Sequence, residues 1–155
     1  MKLFHKLATL AIPAVCLGLS SCGNSFEREK KDMADIERDL AEQMIACENP
    51  NDVMELLPAI DEAAYKLDEM TANLSTNKAD YIQEYKDLTL RELKELEKCS
   101  IESKNAANLM DDGRDHVRDI KDANHDEIAK KMEKYNESRS KHAKVMGEII
   151  DEANK

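Results

Sequence analysis

The chain contains little of the material from which β-sheets and active-site turns are built. Its 155 residues include 4 glycines, 3 prolines and no tryptophan, and aromatic residues make up 4%. Strands favour aromatic and β-branched residues, whereas Ala, Leu, Glu, Lys and Met, which are abundant here, are strong helix formers. No Gly-x-Ser-x-Gly sequence and no glycine-rich phosphate loop occurs. The composition predicts an all-α protein and gives no support to an enzymatic function.

Clustered positive charge is also missing. The chain has 23 basic and 33 acidic residues and a formal net charge of −10. Nucleic-acid binding depends on clustered Lys and Arg that contact phosphates, so we expect no nucleic-acid partner. Because residues 1–21 hold two of the lysines and no acid, the remainder carries a net charge of −12.

The amino-terminal segment has the pattern of an export signal. Two lysines precede an apolar stretch from Leu7 to Leu19, which is shorter than the roughly 20 residues that span a bilayer. This pattern is typical of a secretory signal peptide. The sequence Leu19-Ser20-Ser21-Cys22 resembles the lipobox of bacterial lipoproteins. An ordinary secretory leader with a chance cysteine is the alternative.

The lipobox resemblance implies an anchor and a location. It implies that residues 1–21 are removed, that Cys22 carries a diacylglycerol thioether and that the new amino terminus is acylated. Two or more acyl chains hold a protein stably on a membrane. Residues 22–25 would form a short tether, and residues 26–155 one domain. Gly23 is not the aspartate that retains enterobacterial members in the inner membrane, which favours the outer membrane of the cell envelope.

Apolar residues spaced near 3.6 predict four helices in the mature part. The predicted ranges are 26–48, 52–74, 78–110 and 114–153, with a kink at Pro58 and a left-handed cap at Gly113. Short turns make successive helices antiparallel. We therefore expect an up-down antiparallel bundle of three to four helices. The longer third and fourth helices would form a hairpin whose tip, residues 105–118, projects away from the lipid; alternatively the third helix breaks near residues 103–105.

Two cysteines remain after the leader and Cys22 are set aside. Cys47 and Cys99 each lie 21 residues along predicted helices that run the same way, so their sulfurs are expected at a similar height. An oxidising compartment then favours a Cys47–Cys99 disulfide. The alternative is two buried free thiols, because the first and third helices are diagonal in a square bundle.

One cofactor hypothesis arises from a histidine. The sequence lacks His-Glu-x-x-His, and no histidine pairs with another His or Cys four residues away, so no metal site is predicted. His142, however, lies on the apolar stripe of the fourth helix at the expected height of Met33. A Met on the first helix and a His on the last resemble the periplasmic b-type four-helix cytochromes, to whose first helical pair residues 32–64 are similar. The resemblance implies haem held by Met33 and His142; the alternative is a histidine that hydrogen-bonds a core tyrosine.

These observations lead to two function hypotheses. The first is a non-enzymatic lipoprotein, held to the membrane by its lipid anchor, that binds another envelope protein through a helix face. The second is a carrier of haem or a soft metal near Met33 and His142.

Overall fold

The computed structural model describes residues 24–155, so the predicted leader and Cys22 lie outside the described residues. Five helices account for nearly all of this range: α1 Ser25–Ile45, α2 Pro50–Thr76, α3 Lys78–Lys86, α4 Leu90–Asp119 and α5 His125–Ala153. No strand occurs within residues 24–155. The predicted all-helical bundle is confirmed, but the predicted number of helices was too low.

Side-chain caps fix the starts of α1 and α2. The Asn24 side chain accepts a hydrogen bond from the Glu27 amide at the start of α1. Asn49 caps α2 in a reciprocal arrangement with Asp52, which satisfies otherwise unpaired backbone amides. Pro50 stands in the first turn of α2, where its missing amide hydrogen costs nothing, so α2 begins two residues earlier than predicted. It continues through Pro58, as predicted.

The predicted third helix is two helices, α3 and α4. The chain leaves the helical conformation after Lys86 and re-enters it at Leu90. Thr89 and Glu92 form a capping box, in which each side chain bonds the other's backbone amide. This Thr-x-x-Glu signature marks a helix start. The break therefore lies at residues 87–89 and not near residues 103–105.

Gly113 does not end a helix, as the sequence pattern predicted, but lies buried inside α4. A Cβ at this position would be 2.9 Å from Met44 Cβ and 3.2 Å from the Ala41 carbonyl oxygen. The glycine therefore serves close approach between α4 and α1, and not a turn. The connection to α5 falls at residues 120–124, where Asp122 has a φ of 63°.

Helices α1 and α4 run in the same direction and pack directly on each other. Lys30 Nζ donates to Ser100 Oγ near their beginnings, and His116 Nε2 lies 2.7 Å from the Cys47 carbonyl oxygen near their ends. Residues 105–118 are thus part of α4 beside α1, not a projecting tip. Helices α2 and α5 pair in the same way.

The interior has two apolar clusters. The larger lies toward the end where α1 stops and includes Leu40, Met44, Ile60, Leu67 and Tyr135. The smaller lies at the end where α1 begins and consists of Phe26, Leu74, Tyr81, Leu96, Met146 and Ile149. Phe26 meets the rings of Tyr81 and Tyr85 edge-on, with ring centroids 5.5 and 5.2 Å apart.

Candidate functional site

A buried polar cluster joins four helices near the beginning of α1. Tyr81 Oη donates a hydrogen bond of 3.0 Å to Glu29 Oε1 and accepts one of 3.2 Å from Asn73 Nδ2. His142 Nε2 lies 3.3 Å from Glu29 Oε2. Burial and the negative charge of Glu29 raise the pKa of Tyr81 to about 12. The cluster ties α1, α2, α3 and α5 together by hydrogen bonds.

A second buried carboxylate lies two turns further along α1. Glu37 is 1% exposed and pairs with Arg139 of α5. Tyr135 lies beside this pair, and burial first and Glu37 second raise its pKa. A buried charge is tolerated only when it is paired, so the ion pair fixes α5 against α1.

These carboxylates were missed in the sequence interpretation. Glu29 and Glu37 occupy the same face of α1 as Phe26, Leu40 and Met44. The sequence signal for their burial was a spacing of three or four residues from apolar positions, which places residues on the same side of a helix. An acid at a core position needs a buried partner, and the sequence contained those partners on other helices.

The two ligands of the haem hypothesis lie in different surroundings in the structure. Met33 is half-buried against the larger apolar cluster, and His142 is 2% exposed. Iron ligation would need an imidazole nitrogen directed at an open site. Nε2 is instead directed at Glu29, while Nδ1 is buried without a partner. The partner of His142 is thus Glu29 and not a tyrosine, as the alternative interpretation expected; Tyr81 binds the other oxygen of the same carboxylate.

No disulfide joins Cys47 and Cys99, both of which are free and buried. The prediction assumed that the third helix began at residue 78. Because α4 begins only at Leu90, Cys99 lies beside Lys31 and Glu27 near the start of α1. Cys47 lies level with His116, which is 17 residues, or about 25 Å, further along α4. Burial raises the pKa of both thiols.

A surface groove separates α1 from α2. Its floor is apolar, formed by Ile36, Leu40, Ala59, Ala63 and Met70. Six acidic side chains and one lysine form its rim: Asp32, Asp35, Asp39, Glu42, Glu62, Glu69 and Lys66. The wider half of the groove encloses about 530 Å³. The shallow, elongated shape suits a peptide segment better than a small molecule, which binds in enclosed pockets.

The acids on the α1 side of the groove form a regular row. Asp32, Asp35, Asp39 and Glu42 are spaced three, four and three residues apart, which places them on one face of the helix. The pKa of Asp32 is raised by burial first and then by the charges of Glu29 and Asp35. The row therefore concentrates negative charge that a cation would stabilise.

Comparisons with known proteins give no further assignment. No protein-family model, no curated protein and no solved structure matches the chain. Within residues 24–155, no group of three or more His, Cys, Asp or Glu side chains is placed to hold a metal ion. Over the same range, none of the helices combines the length and apolar character needed to cross a membrane. The fold and the sites thus define an α-helical bundle with buried polar ties and an acidic surface groove.

Proposed function

We propose that this chain is a lipid-anchored lipoprotein of a bacterial cell envelope with a non-enzymatic binding role. The lipobox and the export signal support the anchor at Cys22. The acidic groove with an apolar floor between α1 and α2 supports the binding role. Its partner would be a basic amphipathic segment of another envelope protein.

Charge is the first argument for such a partner. Among the rim residues, only Lys66 is basic, and its Nζ pairs with Glu62 at 2.8 Å. Arg38 pairs with Asp35 at 2.7 Å from outside the rim. Asp32, Asp39 and Glu42 form no ion pair within the described part of the chain. A Lys- or Arg-bearing segment would complement this row and gain electrostatic attraction as it approaches.

The groove's shape is the second argument. An amphipathic helix binds a groove by placing its apolar face on the floor and its charged residues along the rim. The small side chains of Ala59 and Ala63 leave room for the side chains of such a segment. Met70 lies at one end of the groove and is a flexible, adaptable contact. Met54, by contrast, is exposed outside the groove, and Met110 is buried in the core.

A titration with a defined probe tests this proposal. The probe is a fluorescently labelled amphipathic peptide with lysines on one face and leucine and alanine on the other. The full lipidated protein is held in vesicles of zwitterionic lipid, so that the peptide is not drawn to the membrane itself. Replacing Asp32→Asn, Asp39→Asn and Glu42→Gln together should weaken binding about tenfold, since each exposed charge pair contributes roughly 0.2–1 kcal/mol.

The matched control removes the same number of charges elsewhere. Asp112→Asn, Asp119→Asn and Asp126→Asn change exposed acids that do not line the groove. This variant should bind the peptide within about twofold of the unmodified protein, since an exposed charge that forms no pair with the peptide contributes little to its binding. Equal weakening in both variants would assign the attraction to net charge alone. The absence of any binding to the unmodified protein would also contradict the proposed role of the groove.

A further inference from the structure

The start of α4 carries unusually exposed leucines. Leu90 is 81% exposed and Leu93 is 38% exposed. Leu90 directly follows Thr89, whose capping box with Glu92 fixes the first turn of the helix. These side chains are therefore held outward on a well-defined helix start rather than on a frayed end.

The leucines lie at the end of the bundle to which the anchor belongs. Leu96 packs in the same apolar cluster as Phe26 near the beginning of α1. Because α4 runs parallel to α1, Leu90 lies six residues, or about 9 Å, beyond that level. Cys22 precedes Asn24 by two residues, which span at most about 7 Å. Acyl chains on Cys22 would therefore bring a bilayer to this end of the molecule.

The length of α4 contributes to this placement. From the sequence, the surplus length of the third helix was expected at the end away from the lipid. In the structure, α4 ends only a few residues beyond His116, which lies level with Cys47. The extra length of α4 instead lies at the opposite end of the bundle, where the first residues of α4 extend past the first residues of α1.

Three basic side chains flank these leucines. Lys86, Arg91 and Lys94 are exposed on either side of Leu90, together with the acids Asp87 and Glu97. Two neighbouring acids already have partners: Glu92 caps the helix and Glu95 pairs with Lys98. Basic side chains beside exposed apolar ones are typical of surfaces that bind anionic headgroups.

We propose that Leu90 and Leu93 insert into the surface of the bilayer that holds the lipidated Cys22, as a second contact between protein and membrane. This inference rests on the anchor in the proposed function. Transfer of the two side chains out of water favours the contact. It would fix the tilt of the bundle on the membrane and thereby the direction in which the acidic groove opens.

The absence of tryptophan provides a direct test. In the full lipidated protein, Leu90→Trp introduces a single tryptophan as a reporter. Ile101→Trp is the matched control, because Ile101 is also exposed and lies on the same face of α4. Ile101 lies 11 residues, or about 16 Å, further along α4 and away from the end of the bundle that is next to Cys22. Both variants are reconstituted in vesicles of phosphatidylethanolamine and phosphatidylglycerol.

We expect the emission of Leu90→Trp to shift to shorter wavelength in vesicles and to be quenched by lipids brominated on their acyl chains. Ile101→Trp should show neither effect. Identical, solvent-like emission from both variants in a protein that floats with the vesicles would overturn this contact and leave the anchor intact. A blue shift that rises with protein concentration, without quenching by brominated lipid, would assign the leucines to self-association and also overturn it. A protein with unmodified Cys22 that does not float would overturn the anchor and the contact together.

Discussion

The two sides of α1 differ sharply, although both belong to one 21-residue helix. Toward α4, it presents Ala41 against Gly113, and the two backbones approach so closely that Gly113 has no room for a Cβ. Toward α2, it presents the acidic row, and a groove opens between the helices. Small side chains allow close packing without solvent, whereas charged side chains must stay hydrated. The comparison indicates that α1 is tightly packed on the side toward α4 and borders an open groove on the side toward α2.

The carboxylates of α1 follow the same division. Glu29 and Glu37 are buried and have partners from other helices. Asp39 and Glu42 are exposed at the groove and have none among the described residues. We expect the buried pair, Glu29 and Glu37, to stabilise the fold. We expect the exposed pair, Asp39 and Glu42, to lower the free energy of unfolding through mutual repulsion. Four predictions test this contrast.

The largest effect is expected from Glu29→Ala. It removes the acceptor of the Tyr81 hydroxyl and the partner of His142, and each buried group left unsatisfied costs about 1–3 kcal/mol. We therefore expect a loss of about 3 kcal/mol in the free energy of unfolding, measured by urea denaturation. Glu27→Ala is the control. Among the described residues, the Glu27 carboxylate hydrogen-bonds only Lys31, four residues along the same helix, and the loss of this pair should cost about 0.5 kcal/mol. Equal losses would contradict a special role for Glu29.

A smaller effect is expected from Gly113→Ala on the side toward α4. The added Cβ meets Met44 and the Ala41 backbone, and such overpacking typically costs about 1–3 kcal/mol. Gly147→Ala on α5 meets nothing within 4 Å and should raise stability by about 0.5–1 kcal/mol through helix propensity alone. The urea concentration at the midpoint of unfolding should therefore fall in Gly113→Ala and rise in Gly147→Ala. A stabilising Gly113→Ala would show that α1 and α4 are further apart than described.

The third prediction concerns alkaline pH. The pKa of Tyr81 is raised to about 12 in the folded protein, compared with about 10 in an unfolded chain. The folded state therefore retains a proton that the unfolded state loses, and the stabilising contribution is complete below about pH 10. It should be lost as the pH rises to about 12. Absorbance at about 295 nm, compared between the unmodified protein and Tyr81→Phe, measures this ionisation; a difference curve with a midpoint near pH 10 would contradict the buried cluster.

The smallest effect is expected from the acidic row. Asp39→Asn relieves repulsion from Asp35 and Glu42 on the same helix face. Like charges three or four residues apart cost about 0.2–0.5 kcal/mol, so the variant should be more stable by about that amount and should weaken peptide binding. Asp112→Asn, outside the groove, serves as the control for peptide binding. A destabilised Asp39→Asn would indicate that the row has a structural role.

Much of the fold could be predicted from apolar spacing. The helical class, the course of α2 through Pro58 and the burial of Leu40, Met44 and Leu67 follow from a 3.6-residue period. The division between α3 and α4 was missed, although Thr89 and Glu92 carry a capping signature. Gly113 was misinterpreted because a glycine that ends a helix and one that permits close packing look alike in sequence.

The disulfide prediction failed for the same reason. Heights along a bundle were counted from a helix start that was wrong by 12 residues. The buried cluster could be predicted only in part: a core tyrosine near His142 was considered, but Glu29, which joins His142 to Tyr81, was not recognised. Partner choice between helices depends on register, which a single sequence does not specify.

The proposed membrane location and leucine contact, and the choice of an envelope protein as partner, all depend on the modification of one residue. Intact mass spectrometry of the processed protein, followed by sequencing of its amino-terminal peptide, tests this most directly. We predict a chain that begins at Cys22 and carries a diacylglyceryl group on its sulfur. A mature protein that begins elsewhere, or that begins at Cys22 with an unmodified thiol, would contradict the account.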